Sequence, residues 1–357
     1  MKMRVQTKKK MLLSVLLLLV LSVFALAGCS AEGKQFMDLN KELSLLPQYS
    51  YSGNMNMAFT MPESVMAEMT EEEAAMMKQL ENMKFTFTGN YVAESMYQDM
   101  VMGYTLNGKK ASLRLVMDKT DMYLNAPDLI AFAEAMAGTA APEDIAELKE
   151  ALKDVTWLKM GVMEGTEILG ESFNKMMDAI FANILTIQTD LFKYTDALNA
   201  SSFAEYKPAI FSKSGNAYVL NITKENLKPV VEEVVTYAIK NNKDILADTK
   251  TFIENNDLLW LQEMGLTKRM AIEALDELGI ALGEIKAADL NELNDALEEG
   301  LAMFDGSSMY MSLEKRSANK YRERFDFTMA MNMDDESMKM QFDGLMDIDA
   351  TAKVTPN

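Results

Sequence analysis

The chain has 357 residues, 49% of them apolar, with 35 basic against 54 acidic side chains and a formal net charge of −19. A polymer this acidic is repelled by nucleic-acid phosphates and by anionic lipid headgroups, while its apolar share is enough for a sizeable core. Histidine is absent and cysteine occurs once, which removes the usual general base, the commonest zinc ligand and any intrachain disulfide.

The first element is a leader. Lys2, Arg4, Lys8, Lys9 and Lys10 precede an uncharged 17-residue run from Met11 to Ala27, which closes in Leu26-Ala27-Gly28-Cys29. A basic start, an apolar middle and small residues at the end are the parts of a secretory signal, although a run of this length also approaches that of a membrane helix. The small pair followed by the single cysteine resembles the bacterial lipobox. That resemblance implies cleavage before Cys29, acylation of Cys29 with diacylglycerol, and an exported protein. Such a protein is lipid-anchored to the outer face of the cell membrane, or to an outer membrane where the host has one. Loss of residues 1–28, with five basic and no acidic side chains, lowers the charge to −24. Acyl chains rather than surface charge then form the anchor, two or three of them being enough.

Residues 34–46 read as a short helix with Phe36, Leu39, Leu43 and Leu46 on one stripe, stopped by Pro47. Alternation begins at once. Tyr49, Tyr51, Gly53, Met55, Met57, Phe59 and Met61 interleave with small polar residues, which predicts a strand dry on one face and wet on the other. An acidic helix is expected over 63–82. A second strand follows with Met83, Phe85, Phe87, Gly89 and Tyr91, then strands at 96–106 and 109–117 joined by Asn107-Gly108, a type I′ turn signal. A short strand at 121–125 leads into helices from Pro127 and Pro142, with Trp157 in a brief strand. A long amphipathic helix is expected over 171–198, a strand over 217–222, and a helical series from Thr223, as N-cap, to Phe304. Gly279, Gly283 and Gly300 read as helix stops there, and Asp289 with Glu292 as a capping pair. The tail returns to strands at 309–313, 325–333 and 338–348, the last two joined across Asp334-Asp335-Glu336.

About ten strands, each apolar on one side, must cover that side with the available helices. The expected fold is α+β: a curved antiparallel half-barrel sheet, helices packed in its concave face, and a helical insertion. The division is a signal peptide at 1–28, a lipidated N-terminus and short helix at 29–48, and N-terminal strands with the long helix at 49–223. A helical insertion or subdomain follows at 224–304, and C-terminal strands completing the same sheet at 305–357. This order of elements, with strands 49–61, 83–93, 325–333 and 338–348 behind a lipobox, resembles the LolA/LppX-like superfamily of bacterial lipoproteins and lipid carriers. The resemblance implies a half-barrel whose helices plug a hydrophobic cavity, and a lipid, lipid anchor or hydrophobic peptide as cargo. The helical block at 224–304 is larger than those families need.

Methionine is over-used, at 33 residues, and many fall on the alternating strands. Branched residues suit rigid strands better, whereas flexible, polarisable thioethers adapt to varied apolar partners. The candidate apolar-ligand face is Met55, Met57, Phe59, Phe85, Phe87, Met100, Met102, Phe327, Met329, Met331, Met340 and Phe342. Plain core packing accounts for the same alternation. Thioethers two apart, as in Met329-x-Met331-x-Met333, also suit Cu(I), though histidine or further cysteine usually joins them.

Catalytic motifs are thin. Ser172-Phe173-Asn174-Lys175 and Ser312-Leu313-Glu314-Lys315 match S-x-x-K without the partner motifs that this chemistry requires. No phosphate loop, nucleophile elbow or calcium loop is present in the sequence. The expected protein is therefore non-enzymatic, without metal or cofactor and without nucleic acid. It is held at the membrane by Cys29 and binds something apolar. A second expectation is an envelope interaction protein with a filled core; a third is Cu(I) binding.

Overall fold

The computed structural model describes residues 30–70, 74, 82–106, 109–118, 121–137, 142–161, 184–223, 225–258, 266–283, 306–333 and 336–354. The leader, Cys29, the Asn107-Gly108 turn, Ser172, Lys175, Trp260 and the Asp289–Glu292 pair lie outside them. The fold is α+β, with eight helices and eleven strands among the described residues; every described pairing is antiparallel, and the sheet is curved and open rather than closed into a barrel. Two compact units divide the elements.

The strand unit spans 45–181 and 303–357. It holds β1 (Gln48–Thr60), α2 (Glu63–Glu68), β2 (Asn82–Val92), β3 (Tyr97–Leu106), β4 (Lys109–Asp118), β5 (Asp121–Asn125), α3 (Ala126–Ala137), α4 (Pro142–Leu152), β6 (Trp157–Gly161), β9 (Ser308–Ser317), β10 (Lys320–Met333) and β11 (Glu336–Asp349). The strand order is β6-β5-β4-β3-β2-β1-β11-β10-β9. The first strand thus pairs with the last, and two runs of neighbouring hairpins meet at the centre.

Helix α3 starts where its sequence provides a cap. Asn125 Oδ1 accepts the Asp128 N–H at 3.1 Å, and Pro127 occupies the first turn, where a missing N–H costs nothing. The Asp128 carboxylate in turn accepts the Arg114 N–H at 2.9 Å, fastening the helix to β4. Phe132 and Ala135 then pack on Met83, Tyr104, Phe85 and Leu113 of the sheet. The acidic helix expected over 63–82 is shorter: α2 ends at Glu68, and the backbone of Met69 after it is extended (φ −76°, ψ 150°). The remainder of that span lies outside the described residues, residue 74 excepted.

The helical unit takes in 30–44 and 182–302. It contains α1 (Ala31–Ser44), α5 (Ile184–Ala200), the hairpin β7 (Phe211–Ser214) and β8 (Ala217–Ile222), α6 (Leu227–Lys240), α7 (Asn242–Asn255) and α8 (Lys268–Gly283). Tyr194, Leu198, Phe203, Tyr206, Val234 and Ile245 form its core, with the Phe203 and Tyr237 rings stacked at 5.2 Å. Thr223 was expected as the N-cap of α6, but the helix starts at Leu227 with Asn226 in the cap position, and Thr223 belongs to the turn before it. There Thr223 Oγ1 accepts the Asn226 N–H at 3.3 Å and Asn226 Oδ1 accepts the Thr223 N–H at 2.6 Å, reciprocal bonds that close the turn leading into the helix. Gly279 corrects an expectation, since it lies inside α8 rather than ending it. A Cβ there would approach Leu246 Cδ1 of α7 to 3.2 Å, so the glycine serves close helix packing.

Candidate functional site

Directly opposed residues in neighbouring strands share a face of the sheet, so the registers assemble the apolar surface row by row. Met57 opposes Met83 on β2 and Phe342 on β11; Phe342 opposes Phe327, which opposes Met309. The next row holds Met55 between Phe85 and Gly344, followed by Phe325 and Met311. To one side lie Phe59, Met340 and Met329, with Met331 at the matching register position opposite Met338. To the other side, Gly53 opposes Phe87, which opposes Met102; Tyr51 opposes Gly89, which opposes Met100. All twelve residues of the predicted ligand face therefore belong to one face of the strand unit.

The eleven of them with described side chains are half-buried: none is in the closed core and none is fully exposed. Complete burial on this face lies at the edge under α3, where Met83 and Tyr104 are 5% and 4% exposed, and toward the opposite end of the strands, where Tyr51, Ile348, Tyr321 and Leu313 are buried.

The three glycines on this face admit rings, which the sequence alone did not reveal. Each directly opposes an aromatic residue: Gly53 and Phe87, Gly89 and Tyr51, Gly344 and Phe325. A Cβ at Gly53 would lie 2.5 Å from Phe87 Cζ, and one at Gly89 would lie 2.5 Å from Tyr51 Cζ. Each would also press on a carbonyl oxygen of the neighbouring strand. The rings lie flat over the missing side chains, the arrangement by which aromatics cover glycines in curved sheets.

Toward the other end of the strands the face changes character. Tyr49, Tyr51, Tyr91, Gln98 and Tyr321 replace methionine, and Glu323 occupies an apolar-phase position between Met346 and Leu313. The Tyr49 ring lies 5.2 Å from Tyr91 and 6.0 Å from Tyr51, all tilted. Gln98 Nε2 donates to the Tyr51 hydroxyl at 2.7 Å. Burial, then Tyr91, Tyr51 and Glu323, push the Tyr49 hydroxyl up to about 12. Burial also raises the Glu323 carboxyl above its ordinary value of 4.5. Because the folded state then holds this proton more tightly than the unfolded chain, stability falls as pH rises through the raised value. Glu323→Gln should therefore raise the urea midpoint at about pH 7.5 and leave it unchanged at about pH 4. Tyr49, Tyr51 and Tyr91 are on the faces that alternation assigned them, whereas Tyr321 and Glu323 were missed because the strand was read from Phe325 onward; a carboxylate in the apolar phase two residues earlier was the available signal.

The opposite face is polar and paired. Arg322 donates to Asp347 through Nε and Nη2, both at 2.7 Å, and Arg114 donates to Asp99 at 2.9 and 2.7 Å. Two grooves open there. One of about 520 Å³ is lined by Ser50, Ser52, Arg316, Lys320 and Asp347 among others, and one of about 330 Å³ by Thr88, Asn90, Asp99 and Arg114 among others. Trp157 is 36% exposed beneath the Arg114 guanidinium, which lies 5.7 Å from the ring centroid. Arg322 holds the Asp347 carboxyl below its ordinary 3.8, which stabilises the fold above that range and is lost as pH falls through the lowered value. Both groups are partly solvated, so Arg322→Ala should cost only about 0.5–1 kcal/mol in chemical denaturation at neutral pH.

Ser312 and Lys315 do not form a nucleophile pair. Both lie in β9, where an odd spacing sends them to opposite faces: Ser312 opposes Arg324 on the polar face, and Lys315 opposes Tyr321 on the apolar one. Among the described residues no group of His, Cys, Asp and Glu is placed to hold a metal, and no helix is long and apolar enough to cross a membrane. Comparison with known protein families, with curated proteins and with solved structures finds no match.

Proposed function

We propose that the protein is a non-enzymatic exported lipoprotein of LolA/LppX-like kind, anchored through acylated Cys29, that binds an apolar ligand on its Met- and Phe-rich face. The ligand is a lipid, a lipid anchor or a hydrophobic peptide. The observation that carries this reading is the collection of the twelve residues on one face of the strand unit, with the eleven whose side chains are described half-buried rather than closed into core. Apolar surface of that extent gains from being covered, and thioethers repack around varied shapes at small cost. A Cu(I) site has weaker support. Met329 and Met340 do oppose one another, but Phe342, Phe327 and Phe59 border them, and burial of alternate residues produces the same spacing.

Native mass spectrometry of the chain from Ser30 onward, which contains every described element, tests the proposal. The expected result is a discrete lipid-sized adduct that disappears on organic extraction and returns after incubation with host membrane lipids. A second reading is an envelope interaction protein that engages a protein partner through its polar face, favoured by the two grooves there. It predicts no adduct before or after that incubation.

A further inference from the structure

The two grooves on the polar face of the strand unit adjoin, since Ser50 lines both. Together they form a trough across β4, β3, β2, β1, β11, β10 and β9, from Arg114 to Arg316, about 30 Å long at the usual spacing of strands. Helix α3 packs on the other face. The floor of the trough is hydroxyl and amide, from Ser50, Ser52, Thr88 and Asn90, with Ser52 and Thr88 exposed. The charges along it cancel: Arg114 pairs with Asp99, Lys320 with Asp349, and Arg316 lies 3.9 Å from Asp347. At the β4 end the Arg114 guanidinium lies over Trp157, the one exposed large apolar side chain of the described strands.

These features select among ligand classes. Cations already paired with carboxylates, on a chain of net charge −19, offer an anionic polymer no free counter-charge. A protein partner needs a desolvated apolar or aromatic centre, whereas this trough has its exposed ring at one end. A saccharide needs neither. Its hydroxyls bond to fixed planar donors and acceptors such as the Arg114–Asp99 fork, and the C–H face of a pyranose ring packs on indole.

We propose that this trough binds a linear, uncharged glycan. The sugar chain lies across the strands, with its hydroxyls on Thr88, Asn90 and the Arg114–Asp99 pair and one ring against Trp157. The site is on the face opposite the apolar rows, so the inference stands apart from the apolar-ligand reading. It gives the polar face a saccharide in place of a protein partner.

The test is calorimetric titration of the chain from Ser30 onward with hexasaccharides. Cellohexaose, chitohexaose and maltohexaose are uncharged and differ in linkage or substituent; hexagalacturonate is anionic. Trp157→Ala and Arg114→Lys are titrated in parallel, the second keeping the charge while losing the planar fork; circular dichroism verifies that both variants are folded. The expected result is saturable binding of at least one uncharged sugar, about tenfold tighter than hexagalacturonate and weakened about tenfold by each variant. Binding of none of the uncharged sugars overturns the inference and leaves the polar face to a protein partner. Hexagalacturonate binding as tight as theirs also overturns it, as recognition of charge. So does binding unchanged in both variants, which places the sugar elsewhere. The lipid adduct is measured separately, so failure here leaves the apolar-ligand reading standing.

Discussion

Gly344→Val should lower the melting temperature of the strand unit by about 10 °C, corresponding to a loss of about 3 kcal/mol. A Cβ at this position collides with Phe325 Cζ and lies 2.8 Å from the Asn54 carbonyl oxygen, so neither the ring nor the neighbouring backbone can absorb it. The ring must leave its place over the glycine, and the β1–β11 junction at the centre of the sheet must open with it. Gly215 is the matched control. It has φ +60° in the β7–β8 turn with nothing within reach of a Cβ. Gly215→Asn, a residue that tolerates left-handed backbone, should change stability by less than about 0.5 kcal/mol. Thermal unfolding followed by circular dichroism measures both. Equal melting temperatures for Gly344→Val and the parent chain would remove the ring-over-glycine account of the sheet's centre.

Met340→Asp should reduce bound lipid at least about tenfold, whereas Met340→Leu should leave it near the parent level. Met340 opposes Phe59 on one side and Met329 on the other, so apolar residues flank it in both neighbouring strands. A carboxylate there has no cation at its register neighbours and must either keep water or exclude an alkyl chain. Leucine preserves volume and apolarity, so it separates loss of the surface from loss of the thioether. Because Met340 is only half-buried, the fold should survive either change, and lipid per folded protein is the quantity to compare. Lipid loss in both variants would show that sulfur itself matters and would favour metal binding over apolar contact.

The strands were legible because each was exposed to two solvents at once. In 49–61 and 83–93 every second residue is apolar, and the observed β1 and β2 keep that phase over their whole length. The short strand at 121–125 was read as ending ahead of Pro127, which opens the next helix, and its ends are as expected. Strand β7 was missed: Phe211-Ser212-Lys213-Ser214 is four residues long, mostly exposed, and shows no alternation of its own. Pairing of β1 with β11 joins residues nearly 300 apart, and only the shared phase of the two patterns hinted at it. Gly279 was misread because a glycine that admits a neighbouring helix cannot be told from one that stops its own. The candidate face could be read from alternation alone. Its graded polarity could not, because it depends on registers that bring Tyr321 level with Tyr51.

The most direct test of the central claim is photocrosslinking with a diazirine-bearing fatty acid or phospholipid, followed by peptide mapping. Adducts on the β1, β10 and β11 peptides carrying Met55, Met57, Met329, Met340 and Phe342 are the predicted result, with competition by unlabelled lipid. Adducts confined to the helical unit, or spread over the polar face without competition, would contradict the assignment of the Met- and Phe-rich face as the ligand site.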